Sequence, residues 1–186
     1  MLAPALQSRL LLTAAAFVLE AVHLGWEHVR GGVAAHHLLN RADLPSVSNW
    51  WGLLVVPLLV WLLVGRIQRR GATLVQAGSR ERFRTLVRVR FTVTLLWGAA
   101  LALAFELGHP AAGFLFFGAF AGALFLHLYR AEYVLGIALG MTFTFGAVLP
   151  LLVATVLAGL SFAAHLLLGA LLRPGRGGSP RGIGLP

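Results

Sequence analysis

Six apolar stretches follow one another along the chain, and short polar segments separate them. They lie at about residues 10–29, 50–65, 87–107, 110–128, 133–149 and 151–172. A helix of about 20 mainly apolar residues is long enough to cross the hydrocarbon core of a bilayer. The pattern therefore predicts an all-α polytopic membrane protein, a single domain over residues 1–172 built as a bundle of six transmembrane helices. Residues 173–186, rich in Gly and Pro, are predicted to form a disordered tail.

The last two stretches form one apolar run that is too long for a single crossing. At a rise of about 1.5 Å per residue, the run from Tyr133 to Leu172 is longer than the membrane is thick. Pro150 interrupts a helix and predicts a tight hairpin at that point. Glycines at helical spacing predict close packing of helices within the bundle. They are Gly118, Gly122, Gly136 and Gly140.

The positions of the arginines predict how the helices are oriented in the membrane. Eight of the 15 basic residues fall in residues 65–90, which run from the end of the second apolar stretch into the start of the third. Loops rich in basic residues stay on the cytoplasmic side, so both termini are predicted to be cytoplasmic in a multi-pass protein of the inner (plasma) membrane. The eight residues are Arg66, Arg69, Arg70, Arg80, Arg82, Arg84, Arg88 and Arg90.

Composition supports the membrane class and removes several kinds of chemistry. The chain is 59% hydrophobic and only 11% charged, whereas soluble domains are about one quarter charged. All basic residues are Arg and cysteine is absent, which excludes a lysine Schiff base, a thiol nucleophile and a disulfide. The formal net charge of +9 is explained by orientation and by attraction to anionic membrane lipids. No nucleic-acid partner is therefore expected.

The outer half of the first helix carries an unusual polar stripe. Because successive residues turn by about 100°, Glu20, His23, Glu27 and Arg30 fall within an arc of about 80°. Glu20 lies near the middle of the predicted span, where a carboxylate costs about 2.5–3.5 kcal/mol to insert. Such groups face the interior of the bundle and find partners there. The stripe is thus predicted to face other helices.

Further polar residues are predicted at the same outer level, which makes this end of the bundle the candidate site. Five of the seven histidines and three of the six acids lie there, in three separate stretches. The predicted acid–base or supporting groups are Glu20, Glu27 and Glu106. The predicted ligand-binding residues are Arg30, Asn49 and Trp50. The predicted metal ligands are His23, His28, His36, His37 and His109.

Imidazole and carboxylate groups together suit a divalent metal such as Zn or Fe. A bound water acidified by that metal would make the protein a metal-dependent membrane enzyme. The same outward-facing pocket also suits a small polar ligand or a lipid headgroup. The sequence leaves open whether the protein is an enzyme, and the substrate and metal stay undetermined.

Four other interpretations remain open from the sequence. Glu20, His23 and Glu27 would also serve a small transporter or channel. The chain would otherwise be a non-catalytic membrane subunit, docked to a partner or to further copies of itself. His127 and His165, at similar predicted depth, are the pair that a b-type haem would use. In the simplest interpretation, the polar groups only pair with one another.

Overall fold

The structure of this chain, a computed structural model, describes residues 3–37, 43, 46–74 and 77–171. Two short antiparallel strands, β1 (Ala35–His37) and β2 (Ser46–Ser48), follow the first helix, and a 3-10 turn at Asn49–Trp51 leads into the second. The predicted tail at 173–186 lies outside the described residues. The helices are α1 (Pro4–Val29), α2 (Gly52–Ala72), α3 (Ala77–Glu106), α4 (Ala111–Phe125), α5 (Ala131–Phe145) and α6 (Val148–Leu171).

Four of these six helices are long and apolar enough to cross a membrane, namely α1, α2, α3 and α6. The apolar helices α4 and α5 have 15 residues each. At about 1.5 Å per residue they are shorter than the hydrocarbon core, which is about 30 Å thick. The fold is therefore all-helical apart from the small hairpin, and four helices have the length and composition of membrane spans.

The arginine-rich segment that the sequence predicted as a loop is mostly helical. Helix α2 continues to Ala72 and α3 begins at Ala77, so both helices extend past the ends of their apolar stretches. Arg, Gln, Leu and Ala are all good helix formers, so the helix does not end where the hydropathy falls. Helix α1 likewise begins at Pro4, where a proline in the first turn costs no helical hydrogen bond.

The hairpin between α5 and α6 turns at Gly146, and the predicted break at Pro150 was wrong. Gly146 has a φ of +67°, a left-handed conformation that glycine adopts without the steric cost of a Cβ. Helix α6 begins at Val148, so Pro150 lies inside its first turn. A proline is tolerated there because the backbone N–H of that position has no helical acceptor.

Helix α5 lies at the centre of the bundle and packs most extensively against α3. The predicted close packing at its glycines is confirmed. A Cβ at Gly136 would overlap the Thr94 hydroxyl and lie 2.6 Å from the carbonyl oxygen of Phe91. A Cβ at Gly140 would overlap the carbonyl oxygen of Leu95. The backbones of α3 and α5 are therefore in direct contact, as small residues permit.

Helix α1 lies at the edge of the bundle and packs mainly against α2. Near its N-terminus, the Arg9 guanidinium donates a hydrogen bond to the carbonyl oxygen of Trp61 at 2.8 Å and lies 3.7 Å from the centre of that ring. Gly65 makes room for this guanidinium, since a Cβ there would be 2.6 Å from its carbon atom. This end of α1 is thus fixed to α2 by a polar contact.

The glycine contact between α3 and α5 leads to a first prediction. Gly140→Ala should destabilise the protein by about 1–3 kcal/mol because an overpacked interface has to shift backbone atoms. The midpoint of unfolding in a series of SDS-containing mixed micelles measures the effect. Gly159→Ala is the matched control, since a Cβ at Gly159 in α6 meets nothing within 4 Å. Equal midpoints for the two variants would contradict the backbone contact.

Candidate functional site

The polar stripe of α1 forms a row of ionisable groups with His23 in the middle. Nδ1 of His23 lies 3.9 Å from Oε2 of Glu20, and Nε2 lies 3.5 Å from Oε1 of Glu27. The His23 side chain is 10% exposed, and Glu20 is 5% exposed. The spacings of three and four residues place all three groups on one face of the helix. Three of the four residues of the predicted stripe, Glu20, His23 and Glu27, therefore face the bundle, whereas Arg30 is exposed.

Glu27 fixes the C-terminal end of α1 to the start of α2. The side-chain amide of Asn49 donates to Oε1 at 2.9 Å and to Oε2 at 3.3 Å of the Glu27 carboxylate. The backbone N–H of Ala34 donates to Oε2 at 3.1 Å. The backbone N–H of Asn49 in turn donates to the carbonyl oxygen of Ala34 at 2.9 Å. Asn49 is buried, so this network holds α1, the hairpin and α2 together.

Two glycines make space for the buried polar groups at this end. A Cβ at Gly146, in the turn between α5 and α6, would overlap the Oδ1 atom of Asn49. A Cβ at Gly52, in the first turn of α2, would overlap Oε1 of Glu20. The sequence analysis did not assign either glycine to the site, because each belongs to a segment distant from its partner along the chain.

Glu20 differs from Glu27 in how its oxygens are satisfied. Its Oε1 atom is buried and has no hydrogen-bond partner among the described residues. Buried polar atoms are nearly always paired, because an unpaired one loses its hydration without compensation. Glu20, a predicted site residue, is an exception of this kind, and its Oε1 atom can accept a hydrogen bond from a further partner.

A groove of about 680 Å³ runs along α1 and is bounded by α1, α2, α3 and α5. We call it the α1 groove. Its wall is apolar except for three residues, and the hydroxyl of one, Thr142, already donates to the carbonyl oxygen of Ala138 at 2.7 Å. The lining residues are Ala16, Leu19, Glu20, Val22, His23, Trp26, Val56, Phe91, Leu95, Leu139, Thr142 and Phe143.

The polar end of the α1 groove is marked by His23. Its ring centre lies 4.7 Å from that of Phe143 on α5, so the imidazole contacts an aromatic ring on the opposite wall of the groove. Glu20 and His23 are thus the two ionisable side chains that line this otherwise apolar groove, and Oε1 of Glu20 is buried beside it without a partner among the described residues.

Several predicted site residues lie elsewhere. His28 is exposed, with its ring centre 6.5 Å from that of the exposed Trp50. Arg30 is exposed as well and stacks on Trp26, its guanidinium carbon 4.2 Å from the ring centre. These residues form an aromatic and basic surface at the C-terminal end of α1, of the kind found at membrane–water interfaces.

The end of α3 does not supply ligands to the stripe in the way the sequence suggested. Glu106 and His109 are both exposed, and Nδ1 of His109 accepts a hydrogen bond at 3.1 Å from the backbone N–H of Ala111, at the start of α4. His36 and His37 lie on β1, and their side chains are outside the described part. Across the described residues, no group of three His, Asp or Glu side chains is arranged to hold a metal ion.

A second buried carboxylate, Glu132, lies at the other end of the bundle and was missed from the sequence. It is fully buried at the start of α5, and Arg70 donates to its two oxygens at 2.8 and 2.9 Å. Arg90 donates to Oε1 at 3.2 Å. The group joins α2, α3 and α5. The only local sign of it is a single acid two residues after Arg130, at the edge of an apolar run.

His127 and His165, the pair that the sequence offered for a b-type haem, pack directly against each other. The ring centres are 4.0 Å apart, so in this arrangement the two imidazoles are in contact and leave no space for a macrocycle between them. Ser161 holds this corner: its Oγ accepts from the N–H of Leu128 at 3.0 Å and donates to the carbonyl oxygen of Leu126 at 2.5 Å. These bonds satisfy backbone groups in the turn between α4 and α5.

Comparison with known proteins gives no relative from which a function can be taken. No protein-family model, no curated protein and no solved structure matches the chain. The function is therefore inferred from the geometry of the described residues.

The Glu27–Asn49 contact leads to a second prediction. Asn49→Asp replaces the donor with an acceptor facing the Glu27 carboxylate, and should destabilise the protein by about 1.5–3 kcal/mol, the usual value of a hydrogen bond to a charged group. Thermal unfolding in detergent measures the loss. Adding Glu27→Gln should restore most of the lost stability. In the double variant the new amide at position 27 donates a hydrogen bond to the new carboxylate at position 49. If the double variant is less stable than Asn49→Asp alone, the assigned contact is wrong.

Proposed function

We propose that the chain is an integral protein of the inner (plasma) membrane in which all six helices cross, with both termini cytoplasmic. The arginine distribution supports this orientation, because Arg66, Arg70 and Arg130 lie around one pocket at a single end of the bundle. The turn between α4 and α5 lies at that end, and the turn between α5 and α6 lies beside Asn49 at the other. The short helices therefore complete two further crossings with the help of their flanking turns.

The α1 groove, in this proposal, binds a lipid-like amphiphile. The apolar wall takes the hydrocarbon part of the molecule, and Glu20 and His23 receive its polar end. The observation that carries the proposal is the buried Oε1 atom of Glu20 without a partner among the described residues. A hydroxyl or amine on the ligand would supply the missing hydrogen bond.

The groove has the size and surface expected for such a ligand. Ligand sites are commonly about 300–1,000 Å³ and mainly apolar, with a few polar groups that fix orientation. The groove volume of about 680 Å³ falls within this range. Its opening faces the position of lipid in a membrane, since α1 is the edge helix and most of its surface is exposed.

A divalent metal is supported less well by the same residues. Glu20 and Glu27 approach opposite edges of the His23 imidazole, one at Nδ1 and the other at Nε2. A single ion would therefore have His23 and one carboxylate as ligands, whereas structural and catalytic sites use three or four protein ligands. Further donors would have to come from residues that the structure does not describe.

Photolabelling tests the groove. The probe is a hexadecanol that carries a diazirine for crosslinking and an alkyne for detection, added to membranes containing the protein. Ala16→Trp fills the groove and should lower labelling severalfold, because Ala16 is part of its wall. Ala15→Trp is the matched control, because Ala15 is exposed on the same helix and does not line the groove. Equal labelling of the two variants would contradict the assigned site.

The role of Glu20 is tested by a second arm of the same experiment, with a hexadecane of equal length that carries the same two reporter groups. The wild type should prefer the alcohol by about fivefold, which corresponds to about 1 kcal/mol for one hydrogen bond. Glu20→Leu should abolish this preference while still being labelled by both probes. Equal labelling of the wild type by the alcohol and the hydrocarbon probe would contradict the assignment of Glu20 as the acceptor.

Cysteine labelling tests the proposed crossings, since the chain contains no native cysteine. A membrane-impermeant maleimide should label Ser46→Cys and His109→Cys in intact cells. Thr85→Cys, in the arginine-rich part of α3, should be labelled only after the cells are permeabilised. All three positions are described, and Ser46, His109 and Thr85 are exposed. The reverse pattern would place the α1 stripe at the cytoplasmic side.

A further inference from the structure

A second pocket lies at the arginine-rich end of the bundle, separate from the α1 groove. It has a volume of about 380 Å³ and is formed by the last turns of α2 and the turn between α4 and α5. Its lining is basic and aromatic, and none of the residues that form it is acidic. The lining residues are Arg66, Arg70, Tyr129, Arg130 and Ala131.

The charge around this pocket is not balanced by the protein. Glu132 is the acid nearest to it in the chain, and this fully buried carboxylate is already taken by Arg70 and Arg90. Arg66 and Arg130 form no ion pair with any described residue. Glu132 is shared between Arg70 and Arg90, so its single negative charge does not neutralise both guanidinium groups. The pocket is therefore strongly positive.

The pocket is also arranged in advance for an anion with several oxygens. Two hydrogen bonds to Glu132 hold the Arg70 guanidinium in place, so little conformational freedom is lost when a ligand binds. Guanidinium groups bind phosphate oxygens through paired N–H donors.

From these contacts we propose that the pocket of Arg66, Arg70, Tyr129 and Arg130 binds a phosphate group at the inner end of the bundle. The ligand is either the headgroup of an anionic lipid or a free phosphate. The exposed ring of Tyr129, which lines the pocket, packs against the exposed ring of Phe162 with ring centres 5.6 Å apart, and this apolar surface favours the lipid. Basic pockets between membrane helices on the cytoplasmic side are typical binding sites for such headgroups.

Ligand binding by purified protein in phosphatidylcholine nanodiscs tests this site. The probes are dioctanoyl phosphatidic acid, inorganic phosphate and dioctanoylglycerol, and binding is measured by the shift in thermal unfolding midpoint across a concentration series. Phosphatidic acid should bind the wild type. Arg66→Gln and Arg130→Gln should each weaken that binding about fivefold, the factor expected for one basic residue near a membrane surface.

Arg69→Gln is the matched control, because Arg69 is exposed on the same helix but does not line the pocket. It should bind phosphatidic acid as the wild type does. Equal weakening in Arg69→Gln and Arg66→Gln would indicate non-specific attraction and overturn the proposal, as would equal binding of dioctanoylglycerol, which has no phosphate. Displacement of the lipid by millimolar inorganic phosphate would identify the soluble anion as a ligand, and its failure to compete would identify the lipid headgroup.

Arg66 is exposed and makes no ion pair with a described residue, so Arg66→Gln should unfold at the wild-type temperature when no ligand is present. Its binding result then stands on its own even if Arg130→Gln, at the start of α5, is less stable. Because neither arginine touches the α1 groove, labelling by the hexadecanol probe should be unchanged in Arg66→Gln. The two sites are thereby tested independently.

Discussion

The direct backbone contact between α3 and α5 is the constraint on which the bundle depends. In a bilayer, apolar side chains gain little by leaving lipid for protein, so helices associate through close packing and polar contacts. Gly136 and Gly140 allow α5 to touch α3 along its length, and Gly98 on α3 completes the contact from the other side. Helices α2 and α6 then pack around α5. The contact also brings Glu132 to Arg90, so that α2 can add Arg70 and join the three helices at the arginine-rich end of the bundle.

Helix α1 has no comparable contact, and the groove is a consequence. Its two ends are fixed by polar groups: Arg9 binds the backbone of Trp61 near one end, and Glu27 binds Asn49 near the other. Between these points α1 packs mainly on α2 and reaches α5 through the contact of His23 with Phe143, which leaves the space lined by Phe91, Leu95 and Phe143. Polar contacts at the ends of a helix can hold it without filling its apolar face, and the unfilled face is what a lipid-like ligand can occupy.

The sequence was sufficient for local features and insufficient for contacts between distant segments. Apolar stretches predicted six helices in the right order, and the 100° repeat placed Glu20, His23 and Glu27 on one face, as the structure does. Helix ends were misjudged because hydropathy changes at the membrane boundary while helix propensity does not. The partners of Glu132 were missed because they lie 62 and 42 residues away in the chain, and nothing beside the residue identifies them. The contribution expected from Glu106 and His109 depended on where α3 ends relative to α1, which a pattern within one helix does not determine.

The two carboxylates of the stripe have different capacities, and this difference decides between a purely structural stripe and a binding site. Glu27 accepts three hydrogen bonds, two from Asn49 and one from Ala34, so both of its oxygens are already paired with groups that hold the fold together. Glu20 has no such donors: one oxygen lies 3.9 Å from His23 and the other lies against Gly52 without a partner among the described residues. If the stripe served only to anchor α1, Glu27 alone would be enough, and an apolar residue at position 20 would remove an unpaired buried atom. A carboxyl group kept beside an apolar groove, at the expense of a hydrogen bond, is better explained by a donor that arrives with a ligand.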